Sequence, residues 1–194
     1  VYNSEEMTTF LDSKIDGIPT EKSRIRREEI VRSFERLVEY ANNNNVTAII
    51  IAGDMFNTAR VTIKTKERIL GLINKFANVD FLYIAGNHDE INFLSGIDTV
   101  PKNLIIFKDE WKSVEYKDCV ISGINLTSGN QKIVYDTLNL DRDKVNVVAM
   151  HGQIAGYNSN EKAELISIPK LKNKHIDYLA LGHIHSHSFG KIDE

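Results

Sequence analysis

Four short apolar runs each end in a knot of Gly, His, Asp and Asn, and this pairing constrains the fold more than any other feature. Residues 46–52 (VTAIIIA) run into Gly53-Asp54-Met55-Phe56-Asn57, and 79–85 (VDFLYIA) into Gly86-Asn87-His88-Asp89-Glu90. Residues 145–150 (VNVVAM) run into His151-Gly152-Gln153, and 176–181 (IDYLAL) into Gly182-His183-Ile184-His185. Unbroken β-branched runs of this length read as strands buried on both faces. Polar residues at their carboxyl ends stand where open α/β sheets gather ligands. If the strands are mostly parallel, one end of the sheet collects Asp54, Asn87, His88, His151, His183 and His185.

Between the runs the apolar spacing turns helical. Residues 20–42 read as a helix that Thr20 can cap, with Ile30, Val31, Phe34, Leu37, Val38 and Ala41 on one face. The asparagines at 42–45 end it, because Asn favours turns over helix interiors. Residues 62–76 form a second helix burying Ile63, Ile69, Leu70, Ile73 and Phe76. Residues 104–107 and 119–124 read as shorter strands, with 111–116 as an edge strand between them. Residues 130–138 and 169–174 read as short helices. Strands alternating with helices predict an α/β domain.

Composition fits this reading. The 194 residues are 42% hydrophobic and 26% charged, with a formal charge of −3, so the chain is expected to fold as one domain over residues 1–194. No apolar run is long enough to span a membrane, and VYNSEEMTTF shows neither the basic start nor the apolar stretch expected of a signal peptide. The single cysteine, Cys119, cannot form an internal disulfide, which fits a cytoplasmic location. Mild acidity means that nucleic-acid contact needs a local basic patch or a metal. Arg24, Arg26, Arg27, Arg32 and Arg36 crowd the first helix, but interleaved glutamates, including Glu28 four residues before Arg32, favour a solvated face.

Taken alone, a His or Asp at a strand end is an ordinary cap or loop residue. Here four of the six histidines join Asp54 and Asn87. Imidazole, carboxylate and amide oxygen form a mixed N/O donor set, which suits Mn²⁺, Fe²⁺ or Zn²⁺ better than Ca²⁺. No thiolate lies near, so a Cys-rich structural zinc site is excluded. His175 reads as a helix-end residue and His187 as a loop residue. Asp12 reads as a turn residue, Cys119 as core, and Trp111 and Tyr116 as edge-strand packing. Asn57 either supports Asp54 or caps the next turn.

The four strand-end motifs, in this order, resemble those of the calcineurin-like metallophosphoesterases: GD-x-x-[DN], GNH-[DE], a later His-Gly, and GH-x-H. Leu11-Asp12-Ser13, Gly17-Ile18-Pro19, the Arg-rich helix with Phe34, HGQIAG and DYLALGHIH resemble the SbcD-like DNA-repair exonuclease branch. The resemblance implies a four-layer α-β-β-α sandwich and two divalent ions, most simply Mn²⁺, with Fe²⁺ or Zn²⁺ as alternatives. Asp54, Asn87, His151 and His183 would hold the second ion, with Asp54 bridging to a first ion that His185 also binds. His88 would protonate the leaving oxygen and Asp89 would orient it. Ions roughly 3.5–4 Å apart clamp phosphoryl oxygens and acidify a water between them.

One family motif is missing. The family begins with a strand ending in Asp-x-His, but registering on Leu11-Asp12-Ser13 puts Thr8 and Phe10 there. The first strand is therefore expected to be unusual and the first metal site weakened. The resemblance further implies a DNA substrate, phosphodiester cleavage of an exonuclease kind, an SMC-like ATPase partner and a possible homodimer. The chain is expected to stop before any DNA-capping domain. The rivals are a phosphomonoesterase or small-nucleotide phosphodiesterase, and a catalytically degenerate subunit that binds DNA or a partner.

Overall fold

A computed structural model describes residues 20–56, 61–89, 94–156, 163–184 and 190–193. Thr8, Phe10, Asp12, Asn57, Glu90, His185 and His187 lie outside the described residues, as do the side chains of Arg24, Arg26, Arg27 and Ile30.

Helix α1 (Thr20–Asn43) is followed by β1 (Ala48–Ala52), α2 (Ile63–Lys75), β2 (Asp80–Ile84) and β3 (Leu104–Ile106). Next come β4 (Lys112–Glu115), β5 (Val120–Gly123) and the one-turn α3 (Val134–Thr137). Strands β6 (Asn146–His151), β7 (Gln153–Ile154), β8 (Leu165–Ile166) and β9 (Tyr178–Gly182) complete the order, with a 3-10 turn at Ile168–Leu171.

The strand-end runs divide between two sheets. Strands β1, β2 and β3 form a parallel sheet, and β4, β5, β6 and β9 a mixed one in which only the β4–β5 pair is antiparallel. Strands β7 and β8 make a small parallel pair that the apolar pattern did not announce. Registers align the carboxyl ends: Ala52 lies opposite Ile84, and His151 opposite Gly182. Each pair of following loops therefore leaves its sheet at one height.

Three apolar clusters hold these elements. Val31, Phe34, Val38 and Ala41 of α1 pack with Ile69, Leu70 and Ile73 of α2 and with Phe81 and Tyr83 of β2. Leu82 and Ile84 meet Phe107, Ile121 and Ala149 in a second cluster, which joins residues of both sheets. Val148 and Met150 of β6 pack with Val134, Tyr135, Ile166 and Leu171 in a third. The alternation of β2, with Phe81 and Tyr83 in one cluster and Leu82 and Ile84 in another, is the period-2 rule at work.

Several expectations need correction. Ile63 is 52% exposed, while Lys66 is buried. The inward stripe of α2 is Lys66, Ile69, Leu70 and Ile73, a spacing of three, one and three that one helix face allows. Thr62 caps this helix by accepting the Thr65 amide at 3.3 Å. The helix expected over 130–138 shrinks to α3, because Asn130 instead turns the chain: its carboxamide accepts the Thr127 amide and donates to the Asp109 and Asn125 carbonyls. His175 ends no helix; it sits exposed in a turn at φ 61°. Strand β1 is half-buried along its whole length. The edge-strand reading holds: β4 borders its sheet, Trp111 donates to the Val134 carbonyl, and the Tyr116 hydroxyl donates to Asp80 at 2.9 Å.

Candidate metal centre

Asp54, Asn87, His151 and His183 converge although they come from four strand ends and two sheets. Asp54, His151 and His183 are buried and each offers one donor atom, all within 4.8 Å of one another. The Asn87 Oδ1 atom lies 3.0 Å from His151 Nε2 and 3.0 Å from His183 Nδ1. The two imidazole rings meet edge to face, with centroids 5.5 Å apart.

The backbone bends sharply to achieve this. Asp54 has φ 52° and His183 has φ 93°. Residues other than glycine seldom adopt these values, which cost about 1–3 kcal/mol each and persist where surrounding structure holds them. Two glycines permit the close approach. A Cβ on Gly86 would fall 2.0 Å from Asp54 Oδ1, and one on Gly182 would fall 1.7 Å from the Ala52 carbonyl oxygen.

Hydrogen-bond chemistry then defines what the cluster lacks. His151 Nδ1 lies 2.8 Å from the Ala52 carbonyl oxygen, an atom that only accepts. Nδ1 therefore carries the proton, which leaves Nε2 as a lone pair in the neutral ring. That lone pair faces Asn87 Oδ1 at 3.0 Å and Asp54 Oδ2 at 3.3 Å, both acceptors. Asp54 Oδ2 is buried and receives no hydrogen bond among the described residues. Asp54 and His151 are buried, and acceptors facing each other there are satisfied by a cation, either a proton on Nε2 or a metal ion. The donor set of carboxylate, amide oxygen and imidazole fits a divalent transition ion.

The other carboxylate atom of Asp54 is engaged: Oδ1 accepts the His88 amide at 3.0 Å. This bond places half-buried His88 at the rim of the cluster. Asp89 ties the loops after β1 and β2 together. Its buried carboxylate accepts the amides of Phe56 at 2.7 Å, Gly86 at 2.9 Å and Met55 at 3.2 Å. Burial pushes the Asp89 carboxyl above its ordinary range, while the amides of Gly86 and Phe56 and the Tyr83 hydroxyl pull it back. Sequence reasoning missed the amides of Met55 and Phe56 as partners of Asp89, which no motif marks.

The exposed ion pair of Glu28 and Arg32, 3.6 Å apart, matches the solvated reading of the first helix. Among the described residues no helix is long and apolar enough to cross a membrane.

Residues 27–187 match the family model described as Calcineurin-like phosphoesterase. The chain is 28% identical over 175 residues to the DNA double-strand break repair protein Mre11 of Saccharolobus solfataricus, covering 83% of this chain and 44% of that protein. It is 24% identical over 186 residues to the Mre11 of Methanopyrus kandleri, covering 84% of this chain and 40% of that protein. A shorter stretch of 66 residues, 33% of this chain and 16% of the relative, is 33% identical to the Mre11 of Aeropyrum pernix. The chain thus spans less than half the length of these relatives. Since the family match runs through all four strand-end motifs, the chain belongs to the calcineurin-like phosphoesterase family.

Proposed function

We propose that the chain is the nuclease domain of a DNA-repair exonuclease, hydrolysing phosphodiesters with two divalent ions. The observation that carries the metal-dependent reading is the meeting of His151 Nε2, Asn87 Oδ1 and Asp54 Oδ2, which are three acceptors when the imidazole is neutral. The resemblance to Mre11 repair proteins favours DNA over small esters. The facing of two sheets with helices outside them supports the four-layer architecture. An SMC-like ATPase partner and a homodimer belong to the same reading, through the branch it resembles.

Asp54, Asn87, His151 and His183 would hold the second ion, and Asp54 with His185 part of the first. Bound there, the ions would neutralise phosphoryl charge and acidify a water, chemistry for which Mn²⁺ is well suited. The residues do the rest. The Ala52 carbonyl fixes the His151 tautomer, so that Nε2 points into the cluster. Asp54 Oδ1 holds the His88 backbone, and the His88 ring is the acid that gives its proton to the leaving oxygen. Asp89 holds the two loops that bring Asp54 and His88 together.

Duplex DNA, single-stranded DNA and nitrophenyl phosphate esters, each incubated with the chain and Mn²⁺, test this. DNA cleavage that disappears with chelator is expected; cleavage of the small ester alone would leave a phosphomonoesterase or small-nucleotide enzyme. Thr8 and Phe10 stand where the branch has Asp and His, so turnover should be low. Thr8→Asp combined with Phe10→His should raise it. No cleavage by either protein would leave a binding subunit.

A further inference from the structure

Gly182 is a glycine that its own backbone does not ask for. It is the last residue of β9 and keeps an ordinary strand conformation. Glycine weakens a strand, and its use there marks a place where another backbone comes close. Here that backbone belongs to the other sheet. Gly182 lies opposite His151 in register. A Cβ on it would run into the Ala52 carbonyl at the end of β1 and stand 2.8 Å from His151 Nδ1. The Ala52 oxygen and His151 Nδ1 are themselves 2.8 Å apart. The space a side chain would need is therefore taken by the hydrogen bond between the sheets. Neither atom yields easily, since one is backbone and the other sits in a buried ring. Gly53 borders the same ring, and its Cβ would fall 2.5 Å from Cγ, but its φ of 89° calls for glycine in any case. At Gly182 only the space does.

We infer that Gly182 is a positioning residue of the metal centre: the side chain it lacks leaves the socket through which the Ala52 carbonyl reaches His151 Nδ1 and fixes which ring nitrogen faces the ion. The inference rests on the metal reading above. With the carbonyl in place, Nδ1 carries the proton and Nε2 turns to Asn87 and Asp54. A methyl group in the socket pushes the carbonyl away, and the ring is no longer held to one tautomer. Gly182 offers no side-chain donor to an ion; it acts through His151.

The test is Gly182→Ala in the whole chain, beside wild type, Asp54→Asn and Gly71→Ala. Gly71 lies on α2 with nothing within 4 Å of its Cβ position, so it controls for the loss of a glycine. In chelator, NMR of the labelled His151 ring should show a slowly exchanging proton on Nδ1 in wild type and Gly71→Ala. In Gly182→Ala that slow exchange should be lost, while the amides of Val148 and Met150 stay protected. Mn²⁺ binding, read by titration calorimetry, should weaken about tenfold in Gly182→Ala, the lower end of what losing an orienting partner costs, and hold in Gly71→Ala. A slow Nδ1 proton in Gly182→Ala, wild-type Mn²⁺ affinity in it, or protection lost at Val148 and Met150 as well would each overturn the inference. Wild type binding Mn²⁺ no better than Asp54→Asn would instead overturn the metal reading, and the Nδ1 proton would still decide on the socket. If Gly182→Ala does not fold, its combination with His151→Ala decides. With the ring gone the carbonyl is free to yield, so the double variant should fold as His151→Ala alone does; failure to fold would overturn the inference.

Discussion

The two ends of β6 show opposite uses of polar side chains. At its start, Asn146 Nδ2 donates to the carbonyls of Asp141, Lys144 and His175, at 2.8, 3.0 and 3.0 Å. Asn103, just before β3, likewise donates to the carbonyls of Ile73, Phe76 and Val79. These are side-chain donors turned on backbone carbonyls, which is how a fold closes its turns. At the other end of β6, His151 Nε2 meets two acceptors and no donor. At one pole of the strands side-chain donors meet backbone carbonyls; at the other, acceptors meet acceptors and a cation is called for. Two asparagines, Asn146 and Asn87, are therefore chemically alike and functionally opposite.

The largest effect expected from this contrast comes from Asp54→Asn. Mn²⁺ affinity should fall more than about 100-fold, beyond the usual cost of losing a supporting partner. The metal-free melting temperature should hold or rise, because a buried carboxylate oxygen without a donor is gone and Asn tolerates the same positive φ. Calorimetry and thermal melts in chelator read the two effects separately; a large metal-free loss would break the contrast. Asn146→Ala should do the reverse. Losing its bonds to the three carbonyls should cost about 1–3 kcal/mol, while Mn²⁺ affinity of the folded protein stays unchanged.

A smaller effect is expected away from both poles. Burial and the hydrogen bond to Asp80 hold the Tyr116 phenol above its ordinary value. The folded state therefore keeps this proton more tightly than the unfolded chain. The stabilisation is fully present below the unfolded value of about 10 and is lost as pH rises through the folded one. Tyr116→Phe should cost about 0.5–1.5 kcal/mol at neutral pH. The gap to wild type should narrow in denaturant melts above the ordinary phenol range. The smallest effect is Arg32→Ala: about 0.3–0.5 kcal/mol, abolished by salt, as for other exposed i,i+4 pairs.

The same contrast explains what was legible in the sequence. The metal pole was readable because its residues directly follow apolar runs, and local pattern alone puts Asp54, Asn87, His151 and His183 at strand ends. The structural pole was not. Asn103, before a strand, and Asn146, inside one, bear no local mark of the carbonyls they serve, up to 30 residues away. Local pattern showed that 46–52 and 145–150 are strands but could not sort them into sheets, since that depends on Leu82, Ile84, Ile121 and Ala149 meeting in space. Ile63 was misread because periodicity fixes a stripe, not where it begins. Asp89 was legible as a motif member, yet its amide partners at Met55 and Phe56 lie more than 30 residues back and leave no mark on its surroundings.

The bond from His151 Nδ1 to the Ala52 carbonyl joins positions 99 residues apart, and it runs from one sheet to the other. Loops of that length close late in folding, after local helices and hairpins have formed. The cluster cannot exist in either sheet alone. Capture of an ion thus becomes a signal that the sheets have docked, and a folding intermediate with native helices and separate sheets would pass through a metal-rich cell without taking one up.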